Sequence, residues 1–135
     1  MNKYINEILR LADKAYMNDD VPVGAIVVLN NKIIGRGYNK KNKTKKVIDH
    51  AEIIAINKAS NKLKDWRLDN CELYVTLEPC DMCKEVIKQS RIKKVNYLVN
   101  SSFNNENNRN ITYEQIDYKN AEYIGKLGKF FQTKR

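Results

Sequence analysis

The chain has 135 residues, of which 42% are hydrophobic and 30% charged, values typical of one globular domain that buries its own core. Its longest nearly apolar stretch, 21–29, has nine residues, whereas a membrane-spanning helix needs about 20. A membrane partner is therefore not expected. The first residues lack the apolar segment of a secretory signal, which favours the cytoplasm.

The net charge of +9 is concentrated in two segments. Residues 40–46 contain five lysines and no acid, and residues 119–135 contain four lysines, one arginine and one glutamate. The basic and acidic residues of the remaining chain cancel. Such concentrated charge suits a polyanionic partner. The alternative is a solvated lysine-rich loop and a solvated tail.

Apolar residues at helical spacing predict a first helix that ends near residue 18. Two strands follow, 23–29 and 33–38, joined by a tight turn at Asn30-Asn31. The next predicted segments are a lysine-rich loop 39–49, a helix 50–61, a strand 71–76, a turn 77–80, a helix 81–90, a strand 94–99, a poorly patterned loop 101–110, a strand 111–116 and a helix 118–133.

This order of elements predicts the fold class. Strands joined through helices pair in parallel by right-handed crossovers, and the opening hairpin adds an antiparallel strand. We therefore expect an α/β fold in which helices cover both faces of a mixed central sheet of about five strands, a three-layer α-β-α sandwich. Residues 1–135 are expected to form this single domain.

The cysteines predict a metal site. Their odd number argues against a disulfide framework. Cys80 and Cys83 stand three residues apart at a predicted helix start, so both sulfurs point one way, and a helix N-terminus favours the thiolate that binds metal. His50, at another helix start, is the third candidate ligand. One imidazole and two thiolates suit a single tetrahedral Zn²⁺ whose fourth position is open for water.

Two alternatives to an open zinc site remain. Cys80 and Cys83 match the spacing of a redox-active pair, although Pro79 ahead of them and His50 upstream favour metal binding. A closed structural site is also conceivable, in which Cys71 is the fourth ligand. Against it, Cys71 opens a predicted strand, where a small buried residue is ordinary.

Glu52 follows His50 by two residues. Within a helix this spacing separates two side chains by about 200°. We therefore expect His50 at the helix cap, ahead of the first turn, from which both side chains reach the metal. Glu52 would then lie beside the water and not on the metal, where a carboxylate can take the proton of the water and return it later.

The motifs His50-Ala51-Glu52 and Pro79-Cys80-Asp81-Met82-Cys83 resemble those of the zinc-dependent nucleoside and nucleobase deaminases. Longer segments resemble the bacterial tRNA-specific adenosine deaminases, namely 21–25, 37–39, 65–68, 73–83 and 90–92. Three segments depart from the family pattern: 47–49, the loop 101–110 and the short chain end. All three bear on RNA recognition and not on zinc chemistry.

The resemblance implies a cytidine deaminase-like fold and one zinc ion per chain, held by His50, Cys80 and Cys83, with Glu52 as the proton carrier. The implied reaction is hydrolytic deamination of adenosine to inosine at the wobble position of a tRNA anticodon, by a zinc-activated water. The resemblance also implies a cytoplasmic homodimer that contacts the RNA with both subunits.

The resemblance assigns substrate contacts as well. Asn39 would hydrogen-bond the target base, and the backbone near Ala51 and Leu77 would line the pocket. The candidate RNA contacts lie in the two basic segments and are Lys43, Lys45, Lys46, Lys126, Lys129 and Phe131. An alternative is a deaminase of a free nucleobase or nucleotide, of guanine or cytosine type, with salt-insensitive kinetics. Another is a non-catalytic zinc module that binds RNA, which predicts a fourth protein ligand.

Overall fold

The computed structural model describes residues 2–101 and 111–133. The elements are α1 (Asn2–Met17), β1 (Gly24–Leu29), β2 (Lys32–Tyr38), α2 (Lys41–Thr44), α3 (Ala51–Leu63), β3 (Glu72–Leu77), α4 (Asp81–Gln89), β4 (Lys94–Val99), β5 (Thr112–Gln115) and α5 (Asn120–Thr133). Most of the loop predicted over 101–110 lies outside the described residues. In the described ranges, no helix has the length and apolar character to cross a membrane.

The described strands form one mixed sheet in the order β2-β1-β3-β4-β5. β1 pairs antiparallel with β2 and β3, whereas β3, β4 and β5 run parallel. Asn30 and Asn31 form the hairpin turn with φ of 50° and 64°, the left-handed conformation that asparagine tolerates and a tight hairpin requires. The predicted mixed five-stranded sheet is confirmed.

Each face of the sheet is covered by helices. Because side chains alternate along a strand, Ala25 and Val27 of β1 join the cluster under α3 and α4, whereas Ile26 and Val28 join the one under α1 and α5. All four residues are buried. The predicted three-layer α-β-α sandwich is confirmed by this arrangement.

Small residues bring α3 unusually close to β2. A Cβ atom added at Gly37 would collide with the backbone oxygen of Ala51, and one at Gly35 with that of Ala55. The backbones of helix and strand therefore touch through glycine and alanine. This contact fixes the start of α3, where three candidate site residues lie, against the end of β2.

The nine predicted elements are all present, with ends within two residues of the prediction. The prediction missed α2, a single helical turn inside the lysine-rich loop. A helix of four residues is too short to be stable by itself, and this turn is stabilised from outside. The carboxylate of Asp20 accepts the backbone N–H of Asn42 at 3.0 and 3.2 Å.

Candidate active site

Two helix starts meet at one end of the sheet. His50 is the cap residue of α3, with extended φ and ψ of −81° and 151°, and Cys80 is the cap residue of α4. Neither side chain caps its own helix. Cys83 lies in the first turn of α4 and is fully buried. All three side chains therefore point away from their helices towards one another.

The three side chains form a compact group with metal-site dimensions. Nδ1 of His50 lies 3.4 Å from Sγ of Cys83 and 3.8 Å from Sγ of Cys80. With zinc–sulfur bonds of about 2.3 Å and zinc–nitrogen bonds of about 2.0 Å, a tetrahedral ion separates nitrogen and sulfur by about 3.5 Å. The donor set and its spacing therefore fit a tetrahedral zinc ion, with Nδ1 as the histidine ligand atom.

No fourth protein ligand joins this group within 2–101 and 111–133, where His50, Cys80 and Cys83 are the one cluster of its kind. Cys71 is buried in the core ahead of β3 and is not a member. All three cysteines of the chain have free thiols. This arrangement gives no support to a closed structural site built with Cys71.

The surroundings of the two site cysteines shift their pKa values in opposite directions. Hydrogen bonds from the Cys83 thiol and from the His50 ring lower the pKa of Cys80 to about 3. The contact with Cys80, together with burial, raises the pKa of Cys83. Hydrogen bonds from its neighbours thus favour the thiolate form of Cys80, a stabilisation that a bound cation would supply to both sulfurs.

Glu52 lies beside this group, in the first turn of α3, and is only 4% exposed. Burial raises the pKa of its carboxyl group to about 7. It lines the same cavity as His50 and Cys80 but is not one of the clustered ligands. A carboxyl group with these properties is suited to accept and return a proton near neutral pH.

A cavity of about 390 Å³ opens over these residues, within the size range of small-molecule sites. Its apolar wall consists of Val21, Val23, Leu77, Leu127 and Phe131. Its polar lining consists of Asp20, Asn39, Lys41, His50, Glu52, Glu78, Cys80, Asn100 and Ser101. A flat apolar ring with polar edges fits this division.

The predicted substrate contacts lie in or behind this cavity. Asn39, Leu77 and Phe131 line it directly. Ala51 is fully buried, and its backbone N–H donates to Oδ1 of Asn39 at 2.8 Å. Asn39 therefore already uses its oxygen within the protein, which leaves its Nδ2 group as the donor available to a ligand.

The predicted lysine contacts are more scattered. Lys43, Lys45 and Lys46 are exposed around and after α2 and do not line the cavity. Lys129 is exposed on α5, whereas Lys126 forms an ion pair with Asp13 of α1. The structure thus brings the first basic segment to the rim of the cavity and uses one lysine of the second to attach α5.

A buried hydrogen-bond chain holds α5 over the cavity. The Tyr123 hydroxyl donates to the carbonyl oxygen of Pro22 at 2.7 Å and accepts from Oγ1 of Thr76 at 3.0 Å, and Thr76 accepts from the N–H of Gly24 at 3.2 Å. Tyr123 is fully buried. Leu127 lies one helical turn beyond it on the same face, where it joins the cavity wall.

Several of these residues were not singled out from the sequence. The buried Asp20, the cavity residues Lys41 and Asn100, and the helix residues Tyr123 and Leu127 acquire their places through contacts far apart in the chain. Only Asp20 carried a usable local signal, as an acid a few residues ahead of a buried strand. Lys41 could not be distinguished from the neighbouring lysines.

The chain matches the family model described as MafB19-like deaminase over residues 1–135. It is 42% identical over 92 residues to a tRNA-specific adenosine deaminase of Bacillus subtilis, covering 68% of this chain and 57% of the relative. It is 39% identical over 111 residues to one of Rickettsia bellii, covering 81% and 77%. The chain spans 55–59% of the length of the Bacillus and Streptococcus pyogenes relatives.

Solved structures agree with the fold. One, from studies of A-to-I editing by tRNA:A34 deaminases at the wobble position, has a TM-score of 0.79 and 30% identity and covers 85% of this chain and 98% of its own. A guanine deaminase of Bacillus subtilis has a TM-score of 0.70 and 25% identity, covering 99% and 96%. The expected cytidine deaminase-like fold and the resemblance inferred from the motifs are confirmed.

Proposed function

Because the chain belongs to the MafB19-like deaminase family, we propose that it deaminates adenosine to inosine hydrolytically at the wobble position of a tRNA anticodon. The position of Glu52 carries this proposal. Its carboxyl group is buried in the same cavity as His50 and Cys80, next to three side chains spaced as zinc ligands. A structural zinc site does not require a buried carboxyl group beside its ligands, whereas hydrolysis by a zinc-activated water requires a proton carrier at that place.

His50, Cys80 and Cys83 would hold one zinc ion per chain. When bound there, zinc lowers the pKa of a water molecule and so supplies a nucleophile near neutral pH. Glu52 would accept one proton from that water and pass it to the ring nitrogen of adenine, while the remaining hydroxide forms a bond to C6. It would then take the second proton from the new C6 hydroxyl group and give it to the C6 amino group, which leaves as ammonia. The amino group at C6 is thereby replaced by the carbonyl oxygen of inosine.

The remaining cavity residues orient the base. Asn39 presents its Nδ2 group as a hydrogen-bond donor because Ala51 occupies its oxygen. Leu77 and Phe131 supply apolar surface for the faces of the ring. Ala51 contributes from behind, by fixing the Asn39 side chain. An unstacked base of an anticodon loop can enter such a cavity at little cost.

The proposal extends to the assembly. Residues 1–135 act as a single deaminase domain, and the exposed Lys43, Lys45, Lys46 and Lys129 contact the RNA backbone. Two chains form a homodimer that contacts one RNA. The reaction takes place in the cytoplasm, where tRNA is modified and where reducing conditions keep cysteine ligands as thiols.

A deaminase of a free base is the second candidate. The similarity to a guanine deaminase over nearly the whole chain supports it, as does a cavity large enough for a purine without its ribose. Such an enzyme needs no polyanion-binding surface. Its kinetics would therefore be insensitive to salt.

One assay separates the two candidates. Zinc-loaded protein is incubated with a tRNA that has adenosine at the wobble position and, separately, with guanine, adenine and cytosine, and inosine and ammonia are quantified. We expect inosine in the tRNA and no ammonia from the free bases. Ammonia from guanine or cytosine, with unmodified tRNA, would replace the proposed function by the second candidate. The Glu52→Ala variant controls for contaminating activity.

A further inference from the structure

We propose that the Lys41 ammonium group binds a phosphate that flanks the target nucleotide, and that it thereby selects a base within a polynucleotide over a free base. This inference rests on the proposed function and names a specificity-determining residue of the same site. The ligand that this residue would recognise is a phosphodiester next to a purine.

Lys41 is placed differently from the other lysines of its segment. Of the cavity-lining residues within the described ranges, it is the one lysine or arginine. It shares that cavity with Glu52 and Asn39, the residues assigned to the reacting base. Lys43, Lys45 and Lys46 are exposed outside the cavity. A ligand whose base lies against Glu52 therefore meets the charge of Lys41 before that of the other lysines.

The other cations near the site already have partners within the protein. Lys84 forms a nearly buried ion pair with Glu78 at 3.3 Å. The Lys40 ammonium lies 4.7 Å from the centre of the Tyr38 ring. By contrast, across residues 2–101 and 111–133 no carboxylate oxygen lies within 4 Å of the Lys41 ammonium. The Lys41 ammonium group is thus available to bind a ligand in the cavity.

The backbone that carries Lys41 is held firmly. The Asp20 carboxylate, only 2% exposed, accepts the N–H of Asn42, the next residue. On the other side, the N–H of Lys40 donates to the carbonyl oxygen of Asp49 at 3.0 Å. These bonds from both sides keep the base of the Lys41 side chain at the rim, so that little ordering is needed when a phosphate binds.

The partner is identified by charge and shape. Apolar walls accept the faces of a base, Asn39 and Glu52 meet its polar edge, and the single cation lies at the rim. A ribose-phosphate attached to a base must leave the cavity through that rim. Lysine binds phosphate as a compact point charge. A free base would leave Lys41 without a partner.

The test pairs a protein change with a change in the RNA. Lys41→Gln is compared with Lys58→Gln, which removes the same charge from an exposed position two turns along α3. The substrates are anticodon stem-loops in which the phosphate 5′ or 3′ of the target adenosine is replaced by an uncharged methylphosphonate. KM for deamination and Kd from fluorescence anisotropy are measured for each pair.

We expect Lys41→Gln to raise KM about tenfold, in line with the loss of one charged contact. One of the two methylphosphonates should have the same effect on the wild type and no further effect on Lys41→Gln. Lys41→Arg should retain most of the affinity because it keeps the charge. Lys58→Gln should match the wild type.

The other outcomes separate this inference from the proposed function. The phosphate contact would be overturned, even if inosine forms, if the effects of Lys41→Gln and of both methylphosphonates were fully additive. It would also be overturned if Lys41→Gln and Lys58→Gln had equal effects. RNA bound with the expected coupling but never deaminated would overturn the proposed function and keep the contact. An RNA that is neither bound nor deaminated would overturn both.

Discussion

The side-chain oxygen of Asn39 accepts a hydrogen bond from the backbone N–H of Ala51 at 2.8 Å. Ala51 is the first residue of α3, and the cap residue ahead of it, His50, makes no side-chain cap bond because its ring faces the cysteines. Asn39 therefore supplies, from the end of β2, a cap that His50 cannot supply. The same amide side chain lines the cavity and holds the helix that carries Glu52.

Replacement of Asn39 should consequently affect both stability and catalysis. Asn39→Ala removes a helix cap, and we expect the free energy of unfolding to fall by about 1 kcal/mol. Under the proposed function it also removes a hydrogen-bond donor to the base, a loss of about 1–3 kcal/mol, so kcat/KM should fall at least fivefold. Urea unfolding and deamination kinetics measure the two effects.

Asn39→Asp tests the two roles separately. Its carboxylate can still accept the Ala51 N–H, so stability should recover, but it offers no donor to the base, so kcat/KM should not recover. If the aspartate variant restored both quantities, Asn39 would act as a cap alone.

Glu52→Ala should leave the zinc content unchanged and abolish turnover. Glu52 is outside the cluster formed by His50, Cys80 and Cys83, so metal binding does not require it. General acid–base groups contribute about 10²–10⁴-fold, and Glu52 is assigned more than one transfer, so the upper end is expected. Metal analysis and single-turnover assays on one preparation give both values. Activity above a tenth of the wild type would contradict the role of proton carrier.

We expect the Cys71→Ala and Cys83→Ala variants to differ clearly in metal content. Cys71→Ala should retain one zinc ion per chain and full activity, because Cys71 is buried in the core away from the ligand cluster. Cys83→Ala should lose both zinc and activity, because two protein ligands remain. Zinc is measured by mass spectrometry after dialysis. Loss of zinc from a folded Cys71→Ala protein would indicate a closed structural site and contradict the enzyme assignment.

Tyr123→Phe should loosen α5 without disturbing the metal. The change removes the bond to Pro22 and leaves the buried Thr76 hydroxyl without its acceptor, at a cost of about 1–3 kcal/mol in unfolding free energy. Since α5 carries Phe131 into the cavity wall, KM for tRNA should rise while zinc content stays constant. Tyr118→Phe is the control, because no hydrogen bond of the Tyr118 hydroxyl is present among the described residues. Equal effects of the two changes would contradict the anchoring role.

Local patterns were enough to predict nine of the ten described elements and the side chains that cluster at the candidate metal site. Asn30 and Asn31 marked the hairpin because their left-handed conformation is a local property. The spacing of Cys80 and Cys83 placed both sulfurs on one face, and the two-residue step from His50 to Glu52 predicted the cap position that α3 shows. Each of these inferences involves residues within one helical or hairpin turn.

The remainder of the site depends on long-range contacts that no local pattern contains. Oδ1 of Asn39 meets a backbone group twelve residues away, and Asp20 stabilises α2 from 22 residues away. Residues 40–46 contain five lysines, and the sequence does not distinguish one of them from another. Only folding places Lys41 at the cavity and leaves Lys43 outside it.

The exposed lysines around α2 give the last prediction, which concerns salt. Each phosphate of a single strand that a lysine neutralises contributes about −0.7 to the slope of log affinity against log salt, so three or four contacts predict about −2 to −3. Changing Lys43, Lys45 and Lys46 to Gln should flatten this slope and raise KM for tRNA. Zinc binding should not change, because none of the three lies in the ligand cluster.

A charge-matched control decides whether this effect is local. Lys58, Lys62 and Lys88 are exposed on α3 and α4, and their joint change to Gln removes the same charge outside the cavity lining. If the two triple variants shift the slope equally, the protein attracts RNA by its net charge and the basic segment is a solvated loop.

The second basic segment should contribute less, because Lys126 is already paired with Asp13 and only Lys129 of the predicted contacts on α5 remains as an unpaired cation. A wild-type slope near zero would remove the electrostatic support for an RNA substrate and favour the free-base deaminase.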